Sequence, residues 1–238
     1  MVRADVKLSA KAGQRSEGPA MSGEIMLVSL SLVGGWLLGE VTAVAKWWIK
    51  TRRLQVVLLE ELLTISEEEA PRVWGSFHRS LQFVVNGMIE PALPLPIENQ
   101  AYSRHYGDSI FTTNRFRRKS LEFVHKYVNE TNRAIQDCRE LLEAVRKEAK
   151  DDRIASERIE EFRTLIKVAM RNAAETQWHA RRHLDHPVLP LLEINGPAHA
   201  AYHAFHRAVS ERISRIELAS VGLTKEQLIN ASADQLDT

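Results

Sequence analysis

A single uncharged apolar stretch near the N-terminus constrains this chain more than any other feature. Residues 25–39 carry no charge, Glu40 interrupts the stretch, and its apolar character continues to Ala45. This is about the 20 residues that a helix needs to cross a hydrocarbon core. The flank that follows comprises Trp47, Trp48, Lys50, Arg52 and Arg53. Because aromatic and then basic residues mark a membrane–water interface, the sequence predicts a transmembrane helix over residues 24–49.

Two other interpretations of this stretch stay open. An uncharged run as short as residues 25–39 can also form the core helix of a soluble protein, although the aromatic and basic flank is untypical there. A cleavable signal peptide ends at a small-x-small site, and the segment Thr42–Ala45 has that pattern. The basic residues after Ala45 favour a retained anchor over cleavage.

The positions of lysine and arginine predict the orientation of the span, because basic residues stay on the cytoplasmic side. Four of them lie within residues 46–53, and four others lie within the first 20 residues. We interpret residues 1–23 as a disordered N-terminal segment in which Met21 is an alternative start. If the chain starts at Met21, only the C-terminal side of the span carries lysine and arginine. We therefore expect a single pass through the inner (plasma) membrane with a cytoplasmic body. The lone cysteine, Cys138, agrees with a reducing compartment.

Two features inside the predicted span are candidates for membrane association. Ser31, Gly35 and Gly39 recur every four residues, and such a stripe of small residues lets helix backbones approach closely. Glu40 is ionisable at membrane depth, where charged side chains are usually functional. Alternatively, glycine is simply common in membrane helices and Glu40 lies near the headgroups. We expect the chain to associate with a second copy of itself or with another membrane protein.

The rest of the sequence has helical periodicity and no sustained strand alternation. Between Asp108 and His186 there is neither glycine nor proline. Two apolar seams, Leu121–Val145 and Ile159–His183, advance in steps of three and four residues, as in a coiled coil. A short polar turn, Lys150–Asp152, joins them. The predicted fold class is therefore all-α, with an N-terminal single transmembrane helix followed by a cytoplasmic antiparallel helical bundle that contains a long helical hairpin.

Proline, glycine and capping residues divide the predicted body into segments. We expect the chain to reverse direction at Ser66–Pro71 and to start its last helix with a capping box at Thr224 and Gln227. The segments are juxtamembrane helices over 50–90, a Pro-rich extended connection over 91–113, the helical hairpin and a third bundle helix over 114–222, and a short C-terminal helix and tail over 223–238.

A basic cluster at the predicted start of the hairpin is a candidate for lipid headgroup contact. Its members are Arg115, Arg117, Arg118 and Lys119. Near an anionic leaflet, each such charge contributes about 1 kcal/mol of attraction. The alternative is an ordinary solvated helix start, although cations at a helix N-terminus oppose its dipole.

Six of the nine histidines form two triplets with the same spacing of four and three residues. They are His179, His183 and His186, and His199, His203 and His206. On two antiparallel helices these triplets would form a ladder in which His186 faces His199, His183 faces His203 and His179 faces His206. Imidazole is a good ligand for zinc and similar divalent ions, so the ladder is a candidate metal site. Packed structural histidines or a pH-responsive cluster are the alternatives.

Searches for catalytic motifs find no informative match. Phosphate-binding glycine loops, Gly-x-Ser-x-Gly and His-Glu-x-x-His are all absent. The Arg–His spacing used by the helical HEPN nucleases occurs at Arg72–His78, Arg118–His125 and Arg181–His186, whereas chance alone produces about 2.5 such matches in a chain of this composition. A net charge of +1 makes a nucleic-acid partner unexpected.

These observations predict a membrane-anchored scaffold, sensor or interaction module that is not an enzyme. Its expected partners are the lipid bilayer and a second copy of the chain or another membrane protein, and no small-molecule substrate is identified. No cofactor is expected apart from the candidate divalent metal. The alternatives are a membrane-tethered metal-binding or HEPN-like RNase effector that uses the His-rich hairpin, and an accessory subunit of a larger membrane complex.

Overall fold

The all-α fold class is confirmed by the computed structural model, which describes residues 20–88, 93–112, 115–148, 156–186 and 196–234. These ranges form helices and contain no β-strand. The helices are α1 (Ala20–Thr64), α2 (Ala70–Val85), α3 (Gln100–Thr112), α4 (Arg115–Glu148), α5 (Ser156–Asp185), α6 (Pro197–Ser220) and α7 (Lys225–Asp234). The chain divides into two compact units, one ending at Lys50 and the other starting at Thr51.

The described part of the first unit is the N-terminal portion of α1. Its large apolar side chains are exposed on all sides of the helix, and Leu38 is 71% exposed. Among the described residues, the one helical stretch that is long and apolar enough to cross a membrane starts here, and none of its most apolar window is buried by the protein. A helix that is apolar all round but unburied is not the pattern of a soluble core helix.

The hydroxyl groups within this stretch form hydrogen bonds inside the helix. Ser31 Oγ donates to the carbonyl oxygen of Val28 at 2.9 Å, and Thr42 Oγ1 donates to the carbonyl oxygen of Leu38. Polar groups in a hydrocarbon environment need such internal partners, because no water is present to replace them. These two hydroxyls are therefore compatible with lipid on every side.

The reversal predicted at Ser66–Pro71 is absent, and that prediction was wrong. Thr64 and Ala70 both keep right-handed helical dihedral angles, and a π-helical turn over Ile65–Glu69 joins α1 to α2. In this turn the N–H of Ala70 donates to the carbonyl oxygen of Ile65, five residues earlier. Pro71 follows at the first turn of α2. We attribute the continuity to the wider turn, since it places the proline where a missing N–H is tolerated.

The two predicted seams lie in the hydrophobic core. Every residue of the first seam on α4 is buried, and the second seam on α5 is buried from Phe162 to His183, with Ile159 half-buried. The two helices contact each other through paired side chains such as Thr131 and Thr176, whose Oγ1 atoms are 3.3 Å apart. Residues of α2 complete this core, notably the fully buried Phe77 and Leu81.

The predicted extended connection is partly helical, which corrects the assignment of residues 91–113. Residues 93–99 are irregular, but Gln100–Thr112 form α3. The carboxylate of Glu61 accepts hydrogen bonds from the N–H groups of Ala101 and Tyr102 at 2.7 and 3.0 Å. These N–H groups have no partner within their own helix, and a distant carboxylate satisfies them as a cap would. No local sequence pattern indicates this capping, because the accepting carboxylate lies on another helix.

Side-chain amides hold the irregular segment and the end of α6. Asn132 accepts from the N–H of Ile97 at 2.7 Å and donates to its carbonyl oxygen at 2.9 Å. Asn86 donates to the carbonyl oxygen of Ser220 at 2.7 Å and accepts from the N–H of Gly222 at 2.9 Å. Gly222 has φ +80°, a conformation that favours glycine after a helix end. Each amide therefore replaces backbone partners that these segments lack.

The capping box predicted for the last helix is confirmed. The N–H of Thr224 donates to Oε1 of Gln227 at 2.9 Å, and the N–H of Gln227 donates to Oγ1 of Thr224 at 3.3 Å. Both bonds satisfy backbone donors at the start of α7, as this motif requires.

Candidate functional site

Ion pairs and aromatic contacts set the register between α5 and α6. Glu217 of α6 pairs with Arg163 and Lys167 of α5 at 3.3 and 2.7 Å. Further along α5, the ring of Trp178 lies 5.1 Å from the ring of Tyr202. Residues later in α5 therefore contact residues earlier in α6. This register brings a set of polar side chains together around two buried ones, Glu175 and His179.

A polar cluster lies where α4, α5 and α6 meet, and we define it as the buried Glu175 and His179 with the half-buried Tyr127, Tyr202 and His206. The side chain of Glu175 is only 4% exposed. One carboxylate oxygen of Glu175 contacts Nε2 of His206, and the other lies 3.6 Å from Nε2 of His179. The hydroxyl groups of Tyr127 and Tyr202 are 3.1 Å apart, and Tyr202 interacts electrostatically with Glu175. Three helices thus contribute polar groups to one site around the buried carboxylate of Glu175.

Aromatic rings surround His179 and shield the polar cluster. The rings of Phe123 and Tyr127 stack beside the imidazole at 5.4 and 5.1 Å, and Trp178 meets it edge-on at 4.8 Å. These contacts leave His179 buried. A shielded site of this kind strengthens electrostatic interactions among its members, because little water screens them.

Burial dominates the electrostatics of Glu175. Burial raises the pKa of the Glu175 carboxyl group to about 7, and the neighbouring Tyr202 hydroxyl opposes this rise. From α4, the charge of Glu130 raises the same pKa and the charge of Lys126 lowers it. The group can therefore take up or release a proton near neutral pH. Burial also raises the pKa of Tyr202, and the hydrogen bond with Tyr127 adds to this effect.

The pKa values of the buried histidines shift in the opposite direction, that is, downward. Burial lowers the pKa of His179 to about 4, with smaller contributions from the positive charges of Arg182, His206 and Lys126. Burial likewise lowers the pKa of His183 to about 4, and Arg117 of α4 lowers it further. A desolvated imidazole is neutral at physiological pH, since burial penalises its charged form.

A third buried imidazole, His125 of α4, lies beside this region. Its ring stacks on Tyr102 with centroids 3.2 Å apart and an interplanar angle of 11°. Neither ring nitrogen has a hydrogen-bond partner among the described residues. Burial lowers its pKa to about 3, and the charge of His183 adds to this effect. His125 therefore packs as a neutral aromatic ring.

The two histidine triplets do not come together as one set. His206 contacts Glu175, which lies one helical turn before the expected partner His179. His183 is buried and interacts electrostatically with His125 and Arg117 of α4. His186 lies exposed after the last residue of α5. Within the described ranges, no three His, Cys, Asp or Glu side chains are grouped so as to hold a metal ion.

The remaining two histidines face each other along α6. Nε2 of His199 lies 3.1 Å from Nε2 of His203, and the two rings meet edge-on with centroids 4.2 Å apart. His203 is exposed and His199 is half-buried.

The other predicted site residues lie on the surface. Ser31, Gly35, Gly39 and Glu40 are exposed on α1. In the basic cluster, Arg115 and Lys119 are exposed, whereas Arg117 and Arg118 are half-buried. Lys119 forms an ion pair with Glu122 at 2.6 Å. Only part of the predicted cluster is therefore available as free cationic surface.

Sequence reasoning missed the two tyrosines of the polar cluster. Tyr127 and Tyr202 come from different helices, and no spacing links them. The pair Glu175 and His179 did carry a signal, because a carboxylate and an imidazole four residues apart share one helix face. Comparison of the chain with protein-family models, curated proteins and solved structures found no match.

Proposed function

We propose that this chain is a single-span membrane-anchored protein whose helical body acts as a scaffold, sensor or interaction module rather than as an enzyme. The observation that carries the proposal is the exposed apolar surface of α1 before Lys50, which the rest of the protein does not bury. Exposure of this much apolar surface to water is unfavourable, whereas a bilayer accepts it.

The topology completes the proposal. Basic residues 46–53 hold their flank of the span in the cytoplasm, so the body is an antiparallel helical bundle on the cytoplasmic face of the inner membrane. The opposed order of contacts between α5 and α6 supports the antiparallel arrangement.

A reporter fused after Thr238 tests the orientation. An enzyme that is active only in the cytoplasm should work in the fusion, and a reporter that needs the periplasm should stay silent. The fusion protein should also remain in the membrane pellet after alkaline carbonate extraction. Periplasmic activity or release into the supernatant would contradict the proposed anchor.

Self-association through the span is the second part of the proposal. A Cβ atom added to Gly35 or Gly39 meets no atom within 4 Å, so a larger side chain leaves the fold of the chain unchanged. Gly35→Leu and Gly39→Leu should therefore weaken dimerisation only by separating two helix backbones. Gly34→Leu is the matched control, because its Cβ is equally free of neighbours and the residue lies off the stripe.

A membrane two-hybrid assay measures this association. Self-association that is lost in both stripe variants and kept in the control supports a homo-oligomer. If wild-type spans do not self-associate, the accessory-subunit alternative replaces the homo-oligomer. Equal signals from all variants mean that the stripe faces lipid.

The burial of His125 removes one of the three Arg–His matches on which the HEPN-like alternative rests. In the Arg118–His125 match, the imidazole is buried against Tyr102 and cannot reach a phosphodiester without rearrangement of the core. A catalytic base needs direct or water-mediated reach to its substrate.

A further inference from the structure

We propose that His199 and His203 form a two-nitrogen chelate for a divalent transition-metal ion on the surface of α6. The two residues lie one helical turn apart and project their imidazoles to the same side. Within the described ranges, the polar partner of each Nε2 atom is the Nε2 atom of the other ring. This pair is thus a much smaller site than the six-histidine ladder that the sequence suggests.

The separation of the two nitrogens matches the bite of a metal chelate. Zinc binds imidazole nitrogen at about 2.0–2.1 Å. Two nitrogens 3.1 Å apart therefore subtend about 98° at an ion placed at the usual distance from each. That angle lies between the octahedral and the tetrahedral values. The nitrogen–nitrogen distance therefore fits one ion bound by both rings.

The facing nitrogens also explain why a cation suits this place. A neutral imidazole has one N–H donor and one acceptor nitrogen. If both Nε2 atoms are acceptors, their lone pairs repel each other at this distance, and a cation between them removes the repulsion. If one donates to the other, the ion must displace a single exposed hydrogen bond, which contributes little net stability.

The other histidine pair with the same spacing lacks this geometry. His179 and His183 are also four residues apart, but both are buried and their neighbours lie in different directions. His179 reaches Glu175, whereas His183 interacts with His125 of α4. Spacing alone therefore does not define the site, and exposure together with nitrogen–nitrogen proximity distinguishes the pair on α6.

The class of ion follows from the ligands. Imidazole suits zinc, copper and nickel, while magnesium and calcium prefer oxygen. Two protein ligands leave the other coordination positions open to water, as in exchangeable rather than structural sites. We therefore expect one weakly held, exchangeable ion per chain.

Isothermal titration of the full chain in detergent with ZnCl₂ tests the proposal, with purification through a tag that contains no histidine. We expect one zinc ion per wild-type chain. His199→Ala and His203→Ala should each weaken binding by at least about tenfold, because one nitrogen cannot chelate. His186→Ala is the matched control, since it removes an exposed histidine that lies just after the end of α5 and should change nothing.

A second measurement separates loss of the site from loss of the fold. Cu²⁺ added to the wild-type chain should show nitrogen hyperfine structure from two imidazoles in its electron paramagnetic resonance spectrum, and each single variant should show one. Circular dichroism of the variants should match that of the wild type, because both side chains lie outside the core. Zinc binding that persists in the double variant, or no zinc binding by the wild type in the same titration, overturns the proposal.

Discussion

Leu38 of α1 and Leu218 of α6 have nearly the same exposure, 71% and 75%, but they lie in very different surroundings. Leu38 belongs to a helical surface on which almost every side chain is apolar, whereas Leu218 lies on a helix with charged neighbours such as Glu217 and Arg215. An isolated exposed leucine is ordinary in a water-soluble protein. A continuous apolar surface on all sides of a helix is not. Exposure of apolar side chains therefore marks a helix apolar enough to cross a membrane only where the neighbouring side chains share it.

The largest expected effect comes from placing charges on these two surfaces. Leu32→Lys with Leu38→Lys should move the protein out of the membrane fraction, since two central lysines cost about 6 kcal/mol of insertion free energy. Leu218→Lys with Val221→Lys changes equally exposed residues of the body and should leave fractionation unchanged. Quantitative immunoblots of membrane and soluble fractions measure both. If both double variants fractionate alike, the two surfaces do not differ in their contact with the membrane, which contradicts this prediction.

The next largest effect concerns the core of the body. Phe77 is fully buried, and Phe77→Ala should lower the free energy of unfolding by about 3–5 kcal/mol through lost burial and a cavity. Phe116→Ala removes the same ring from an exposed position on α4 and should cost far less. Denaturant unfolding of the full chain in detergent gives both values. A small cost for Phe77→Ala would mean that the body does not fold as one core around α2.

The third largest expected effect concerns His125, which is buried and neutral. His125→Phe replaces two unpartnered buried nitrogens with carbon, which should stabilise the fold by about 2 kcal/mol at pH 7. His125 binds a proton near pH 3 in the folded chain and near 6.5 when unfolded, so the unfolded state binds more protons between these values. Stability contributed by the wild-type residue is consequently lost as the pH falls below 6.5.

The variant should therefore lose less stability than the wild type between pH 7 and pH 5. Thermal unfolding followed at both pH values measures the difference, and His186→Phe at an exposed position is the control. Glu175 acts in the opposite direction, because its raised pKa makes the folded state the stronger proton binder between pH 4.5 and 7. A steeper loss in the variant than in the wild type contradicts the neutral packing of His125.

The smallest expected effect concerns the start of α7. Thr224→Ala removes one hydroxyl bond of the capping box and should destabilise this helix by about 1 kcal/mol. Thr224→Ser keeps the hydroxyl and should be close to the wild type. Hydrogen exchange at the N–H of Leu228, which donates to the carbonyl oxygen of Thr224, reports the change locally. Equal exchange in both variants would show that packing of Leu228, and not the cap, holds α7.

Much of the fold could be predicted because its causes are local or periodic. The seams on α4 and α5 are buried as their three-four spacing predicts, and the capping box at Thr224 forms as its residue types predict. α3 was missed because its first turn is capped by Glu61 from another helix. The continuity across Pro71 was missed because a π-helical turn, which has no recognisable sequence pattern, accommodates the proline.

The candidate site was likewise predictable from the sequence only in part. The sequence by itself determined the long apolar stretch of α1, the all-α fold class and the presence of histidines on α5 and α6, because composition and periodicity decide these properties. Only the tertiary structure decided that Glu175 meets His206, that Tyr202 joins Tyr127 and that His183 turns toward α4. The physical reason is the register between helices: it depends on which side chains fit together across α5 and α6, and a displacement of one helical turn leaves each helix unchanged while it exchanges every partner in the site.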